Sequence, residues 1–152
     1  LRGLARLSGM KVIEVEGATG FYDTNFAGKG KAAIEAMAER DLIIVHVEAP
    51  DECGHAGNGQ KKVESIENID THIVGPMLDY FRSSGDDWRI IVLPDHPTPL
   101  WNRTHTMDPV PFCMAGKGVS GSDFGGYTEK NAAKTVMFIE QGHDLMEYFL
   151  KV

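Results

Sequence analysis

Two carboxylates and three imidazoles stand in three short clusters of this chain, and their types and spacing limit the chemistry it can do. Asp51 and His55 lie four residues apart, Asp95 and His96 are adjacent, and His105 follows His96 by nine residues. A mixture of carboxylate and imidazole suits Mn²⁺ or Zn²⁺ better than Ca²⁺, which prefers oxygen alone. A dinuclear site takes about six to eight protein ligands, and these five residues are most of that number. A lone Asp-His pair is commonly no more than a hydrogen-bonding feature. The joint pattern carries more weight, because Pro94-Asp95-His96-Pro97-Thr98-Pro99 opens a long loop that includes His105 and ends in a predicted strand. Long loops inside compact domains are usually functional.

Other polar residues carry less. Arg103, two residues before His105, has the planar donor fork that suits phosphate and is the candidate substrate contact. Lys29 and Lys31 follow a glycine-rich loop, but the GxxxxGK[ST] arrangement of a P-loop is missing, and they stay off the site. His46, inside an apolar run, reads as a packed histidine or a support for the ligands. His72, His143 and Asp70 read as solvated or packing-edge positions, and Asp23 and Asn25 have no evident chemical role. Cys53 and Cys113 form no CxxC pair, which fits a reducing compartment.

The clusters need elements to hold them. Met10 to Val15, Leu42 to Val47, Arg89 to Leu93 and a stretch from Pro109 read as strands, the last an edge or irregular one because of its prolines. Leu42 to Val47 is nearly all apolar, as expected of a central strand covered on both faces. A helix is predicted over about Lys29 to Arg40, burying Ala33, Ile34, Met37 and Ala38. Val63, Ile66, Ile69, Ile73, Met77 and Phe81 mark one long helix, with a kink expected at Pro76. Glu129 to Lys151 reads as a last helix, or two short ones divided at Gly142. Strands alternating with helices predict an α/β fold with a mostly parallel sheet flanked by helices, in which ligands gather beyond the carboxyl ends of the strands. Asp51 and Asp95 come just after two of those strands.

Composition narrows the partners. The 152 residues are 42% hydrophobic, enough for one core, and the net charge of −7 without a basic stripe argues against nucleic acid. An anionic small molecule remains compatible, since local cations can reverse the global sign. No apolar run reaches the roughly 18 residues a bilayer span needs, so no membrane partner and a cytoplasmic location are expected. The chain opens at Leu1, with Leu1, Leu4 and Leu7 at helical spacing, and reads as cut from something longer.

The strings VEAPDECGH, PDHPTP and RTHTMDPVPF resemble the metal motifs of cofactor-independent phosphoglycerate mutases of the alkaline phosphatase superfamily, and GATGFYDTN resembles the archaeal-type branch. The resemblance runs from about Leu4 to the last helix. It implies that Asp51, His55 and His105 hold one metal and Asp95 and His96 the other, with Mn²⁺ first and Zn²⁺, Co²⁺ or Mg²⁺ as alternatives. It also implies an alkaline-phosphatase-like but incomplete fold, residues 1–152 being the C-terminal part of the metal-binding domain. In the family an N-terminal segment supplies an aspartate and the Ser or Thr nucleophile, and an inserted domain handles substrate; neither has a counterpart here. The implied partners are a small phosphorylated substrate and the remaining N-terminal part of the same protein.

The implied reaction interconverts 2-phosphoglycerate and 3-phosphoglycerate in glycolysis, through a hydroxyl that is phosphorylated and returns the phosphate. The chain alone is expected to be inactive, since no catalytic nucleophile lies in it. Alternatives are a related phosphatase, a phosphopentomutase or a homoserine kinase-like enzyme, or a non-catalytic metal-binding module.

Overall fold

The computed structural model describes residues 1–121 and 124–151. They form two units, one of Leu1–Ser84 with Pro99–Thr104 and one of Gly85–Thr98 with the described residues from His105 onward.

The first unit is helical. Helix α1 spans Arg2–Leu7 and leaves Leu1, Leu4 and Leu7 exposed. The glycine-punctuated loop ends at Asn25, whose side chain accepts from the Gly28 amide at 2.8 Å and caps α2, Phe26–Met37. That cap satisfies one of the free donors of the first turn. The helix therefore starts three residues before the expected Lys29, and it buries Phe26, Gly30 and Ala33, while Ala38 is exposed. Asn25 thus has a structural role, as does Asp23, which accepts from the Thr19 hydroxyl at 2.8 Å.

Helix α3, Ala49–His55, is followed by α4, Gly59–Ile69, capped by the Asn58 side chain. The expected long helix continues through a π-helical turn, Asp70–Val74, into α5, Gly75–Ser84. The turn, with Gly75 N–H bonded to the Asp70 carbonyl, replaces the simple kink expected at Pro76. Proline cannot donate to the carbonyl four residues back, and its ring crowds it. An extra residue in the turn before Pro76 relieves that conflict. The carbonyl so released belongs to His72, and Gly30 of α2 packs on it: a Cβ there would lie 2.1 Å from the His72 oxygen. Ile73 and Met77 bury beside this contact, while His72 and Asp70 are exposed.

Met10 to Val15 and Leu42 to Val47 enter no strand pairing among the described residues. Along the second segment Leu42, Ile44 and His46 are exposed while Ile43, Val45 and Val47 are partly covered. This is the alternation of an extended segment with one covered face. It corrects the expectation of cover on both faces and of a packed His46, whose carbonyl accepts from Lys29 Nζ at 3.0 Å.

The second unit holds the one strand pair among the described residues. Strands β1, Arg89–Val92, and β2, Cys113–Gly116, run antiparallel with Arg89 opposite Gly116 and Val92 opposite Cys113. The described residues therefore do not display the mostly parallel sheet expected from the sequence. Gly116 has φ 117°, and a Cβ on it would meet the Trp88 carbonyl at 2.2 Å, so only glycine lets the strands approach here. The prolines 109 and 111 precede β2 as its irregular start. Two short helices follow, α6 at Glu129–Ala132 and α7 at Asp144–Lys151, and Arg89 donates to the Phe149 carbonyl of α7. No helix among the described residues is long and apolar enough to cross a membrane.

Two predictions follow from this packing. Gly30→Ala forces a methyl group into the His72 carbonyl and is expected to cost about 1–3 kcal/mol, read as a lower urea midpoint at unchanged slope; an unchanged midpoint would remove this contact from the account. In the second unit, partial desolvation of the half-exposed Tyr127, with the charges of Cys113 and Glu129, pushes its phenol up to about 12, and the neutral phenol donates to the Pro111 carbonyl at 2.8 Å. The unfolded phenol ionises near 10, so between there and about 12 the unfolded state loses a proton that the folded state keeps. Stability is expected to fall across that window, and Tyr127→Phe should flatten the fall in a pH series of denaturation curves.

Candidate metal centre

Asp51 and His55, which follow the predicted strand Leu42 to Val47, stand on α3, a helix that the elements predicted from sequence do not include. The signals were local: Pro50 in the first turn, Asp51 and Glu52 beside it, and His55 in the last turn, each matched to the helix dipole or to the missing amide of proline. Helical geometry puts residues four apart on one face. The Asp51 Oδ2 and His55 Nε2 atoms accordingly lie 3.3 Å apart, with side chains 21% and 35% exposed. Cys53, between them in sequence, turns to the other side and is buried, 3.9 Å from the Ser65 hydroxyl. It packs as a small core residue.

The other nitrogen of the ring decides the polarity of this pair. His55 Nδ1 lies 2.9 Å from the main-chain oxygen of Arg103. A carbonyl only accepts, so Nδ1 carries the hydrogen. In the neutral ring, Nε2 then presents a lone pair toward the Asp51 carboxylate, another acceptor. Two acceptors at this separation are compatible only with a positive charge shared between them, a proton or a metal ion. Around the same turn, ligand atoms of Glu48, Asp51 and Glu52 also lie within 4.8 Å of one another. Lys29 lies near Glu48; desolvation lowers its pKa, and the Glu48 charge partly restores it. The donor set thus fits a divalent cation that takes oxygen and nitrogen.

In the second unit, Asp95 folds back on its neighbour. Its Oδ1 accepts from the His96 amide at 3.2 Å, and its Oδ2 lies 3.4 Å from His96 Nε2. Buried Thr98 places its hydroxyl 3.4 Å from His96 Nδ1. The His105 ring packs on that of His96, centroids 3.6 Å apart and planes tilted by 32°. The Thr106 amide donates to the Pro97 carbonyl at 3.2 Å, which pins the two ends of the long loop together beside the ring pair.

Among the sequence-derived candidates, the structure therefore joins Asp51 to His55, and Asp95 and His105 to His96, each within its own unit. Arg103 belongs to the first unit and reaches His55 through its main chain. Its φ of 54° is the one left-handed non-glycine backbone among the described residues, a feature for which the sequence held no signal. His143 is exposed beside Asp144, as expected of a solvated position.

The family profile described as Metalloenzyme superfamily matches residues 3–150. The chain is 45% identical over 150 residues to a 2,3-bisphosphoglycerate-independent phosphoglycerate mutase of Methanothrix thermoacetophila, covering 99% of this chain and 38% of that protein. A protein of the same name from Methanosarcina mazei is 54% identical over 114 residues, 75% of this chain and 29% of its own length. A solved structure of a Pyrococcus horikoshii protein superposes with a TM-score of 0.89 at 34% identity, covering 98% of this chain and 44% of that one. The chain thus spans well under half the length of these relatives.

Proposed function

The chain belongs to the metalloenzyme superfamily, the alkaline-phosphatase-like group, and on that premise we propose that it is the metal-binding part of a 2,3-bisphosphoglycerate-independent phosphoglycerate mutase. The observation that carries this reading is the Asp51 and His55 pair, two acceptors fixed 3.3 Å apart by one helical turn and by the Arg103 carbonyl. It gains a substrate from the similarity to named mutases along nearly the whole chain.

On this reading Asp51, His55 and His105 hold one divalent cation, and Asp95 and His96 the other. Mn²⁺ is the first choice for a mixed carboxylate and imidazole set. Bound cations supply charge neutralisation and polarisation for a transferred phosphoryl group. The chain's own residues do the positioning. The Arg103 carbonyl holds the proton on His55 Nδ1 and turns Nε2 toward Asp51, and Arg103, an exposed residue, is the candidate contact for an anionic substrate.

We assign the Ser or Thr nucleophile, its aspartate and the substrate-handling domain to the portion of the relatives' length that this chain does not span. Residues 1–152 are then the C-terminal part of the metal-binding domain. Met10 to Val15 and Leu42 to Val47 are then strands of its mostly parallel sheet. The setting is cytoplasmic glycolysis, in keeping with two cysteines that form no disulfide.

Calorimetric titration of the chelator-stripped chain with Mn²⁺ is expected to show binding that the combined Asp51→Ala, His55→Ala and His105→Ala variant loses; equal binding by both would sink the ligand assignment. The full-length protein should convert 3-phosphoglycerate to 2-phosphoglycerate and stop when chelated. Turnover of homoserine with ATP in its place would move the substrate to a different member of the superfamily.

A further inference from the structure

We propose that Arg103 acts on His55 through its main-chain carbonyl, as a positioning residue, and that its left-handed backbone is what aims that carbonyl. The purpose of this device rests on the metal reading above. Its existence rests on geometry within one unit.

Helix α3 ends two residues after His55 in a Schellman arrangement. The Gly57 amide donates to the Gly54 carbonyl at 3.0 Å and the Asn58 amide to the Cys53 carbonyl at 2.9 Å, with Gly57 at φ 70°. A left-handed glycine at this place is ordinary for a helix end. Here it has a second use. A Cβ on Gly57 would lie 2.6, 2.7 and 2.8 Å from Nε, Cζ and Nη2 of Arg103, so the guanidinium covers the bare α-carbon. The same glycine closes the helix that carries His55 and packs against the side chain of the residue that orients it.

The other half of the device is the Arg103 backbone. Its amide donates to the Pro99 carbonyl at 2.8 Å, closing a turn, and its φ of 54° lies in the left-handed region that strains an L-residue. Such strain persists only where its surroundings over-determine it. What it secures is the direction of one carbonyl, which meets a ring 48 residues away in sequence and fixes which nitrogen bears the hydrogen. Hydrogen bonds behind a metal-binding histidine commonly account for 10- to 100-fold in metal affinity. For this purpose the left-handed backbone of Arg103 is essential and its side chain is dispensable.

Two substitutions at this position separate those parts. Arg103→Gly keeps the left-handed backbone and removes the guanidinium, whereas Arg103→Val keeps a side chain but resists φ above zero. Zn²⁺ affinity of the chain should stay within about fivefold of the parent in Arg103→Gly and fall by about tenfold or more in Arg103→Val, with metal-free melting curves recorded for both. The second readout needs no metal: long-range ¹H–¹⁵N spectra at about pH 8.5, about two units above the ordinary imidazole value, should show His55 protonated on Nδ1 in the parent and in Arg103→Gly. A tenfold loss of affinity in Arg103→Gly, or a parent ring protonated on Nε2, would overturn the proposal even if Arg103→Val failed to fold. If the spectra show Nδ1–H while the parent binds no Zn²⁺, the positioning contact stands and the metal reading fails.

Discussion

A carbonyl oxygen cannot donate, and that one constraint sets the polarity of everything around His55. Because Nδ1 must give its hydrogen to Arg103, Nε2 of the neutral ring faces the Asp51 carboxylate with a lone pair, and only a proton or a metal ion there makes the pair attractive. The site gathers acceptor atoms on one helical turn. Glu48 and Glu52 on the same turn add to it, and Lys29, partly desolvated and bonded to the His46 carbonyl, lies beside Glu48. Such an arrangement is costly unless a cation is part of it.

The helices of the first unit hold this turn in place, and they do so with small residues at close approaches. Ala49 and Cys53 bury the inner side of α3, and Ser65 of α4 is buried near Cys53. Gly30 lets α2 touch the carbonyl that the π-helical turn releases. Each contact allows little slack, because protein interiors are packed to near-crystalline density and respond to a single methyl group. Rigidity behind α3 is what makes a 3.3 Å separation on its outer face a fixed property of the chain.

How far the sequence announced all this depends on the range of the interaction. The Asp51 and His55 spacing, the adjacent Asp95 and His96, and the helical period from Val63 to Phe81 were readable because each is local. Pro50 and the charges around it are helix-start signals for α3, but the elements predicted from sequence include no helix there. The π-helical turn was half legible: Pro76 demanded an irregularity, but where it fell was settled by packing against Gly30. Met10 to Val15 and Leu42 to Val47 have strand composition, yet a strand exists only by pairing, and composition does not name a partner. The left-handed Arg103 was invisible, since nothing local favours an arginine there over glycine or asparagine.

The charge balance of the chain bears on its proposed role. On the proposed function, the carboxylates of Glu48, Asp51 and Glu52, clustered in a chain of net charge −7, would repel a phosphorylated acid in the absence of a cation. Divalent cations on this set reverse the local sign, so a substrate would meet attraction only at the loaded centre, while the rest of the acidic surface turns other anions away. In that arrangement affinity for the anion depends on metal occupancy, and metal occupancy depends on the ring held by the Arg103 carbonyl. Arg103 then acts twice from one position: its main chain orients a ligand, and its guanidinium is within the same stretch of chain as the centre that draws the anion in. A lysine there would offer the charge without the flat surface that rests on Gly57, which gives a physical reason for arginine at this position.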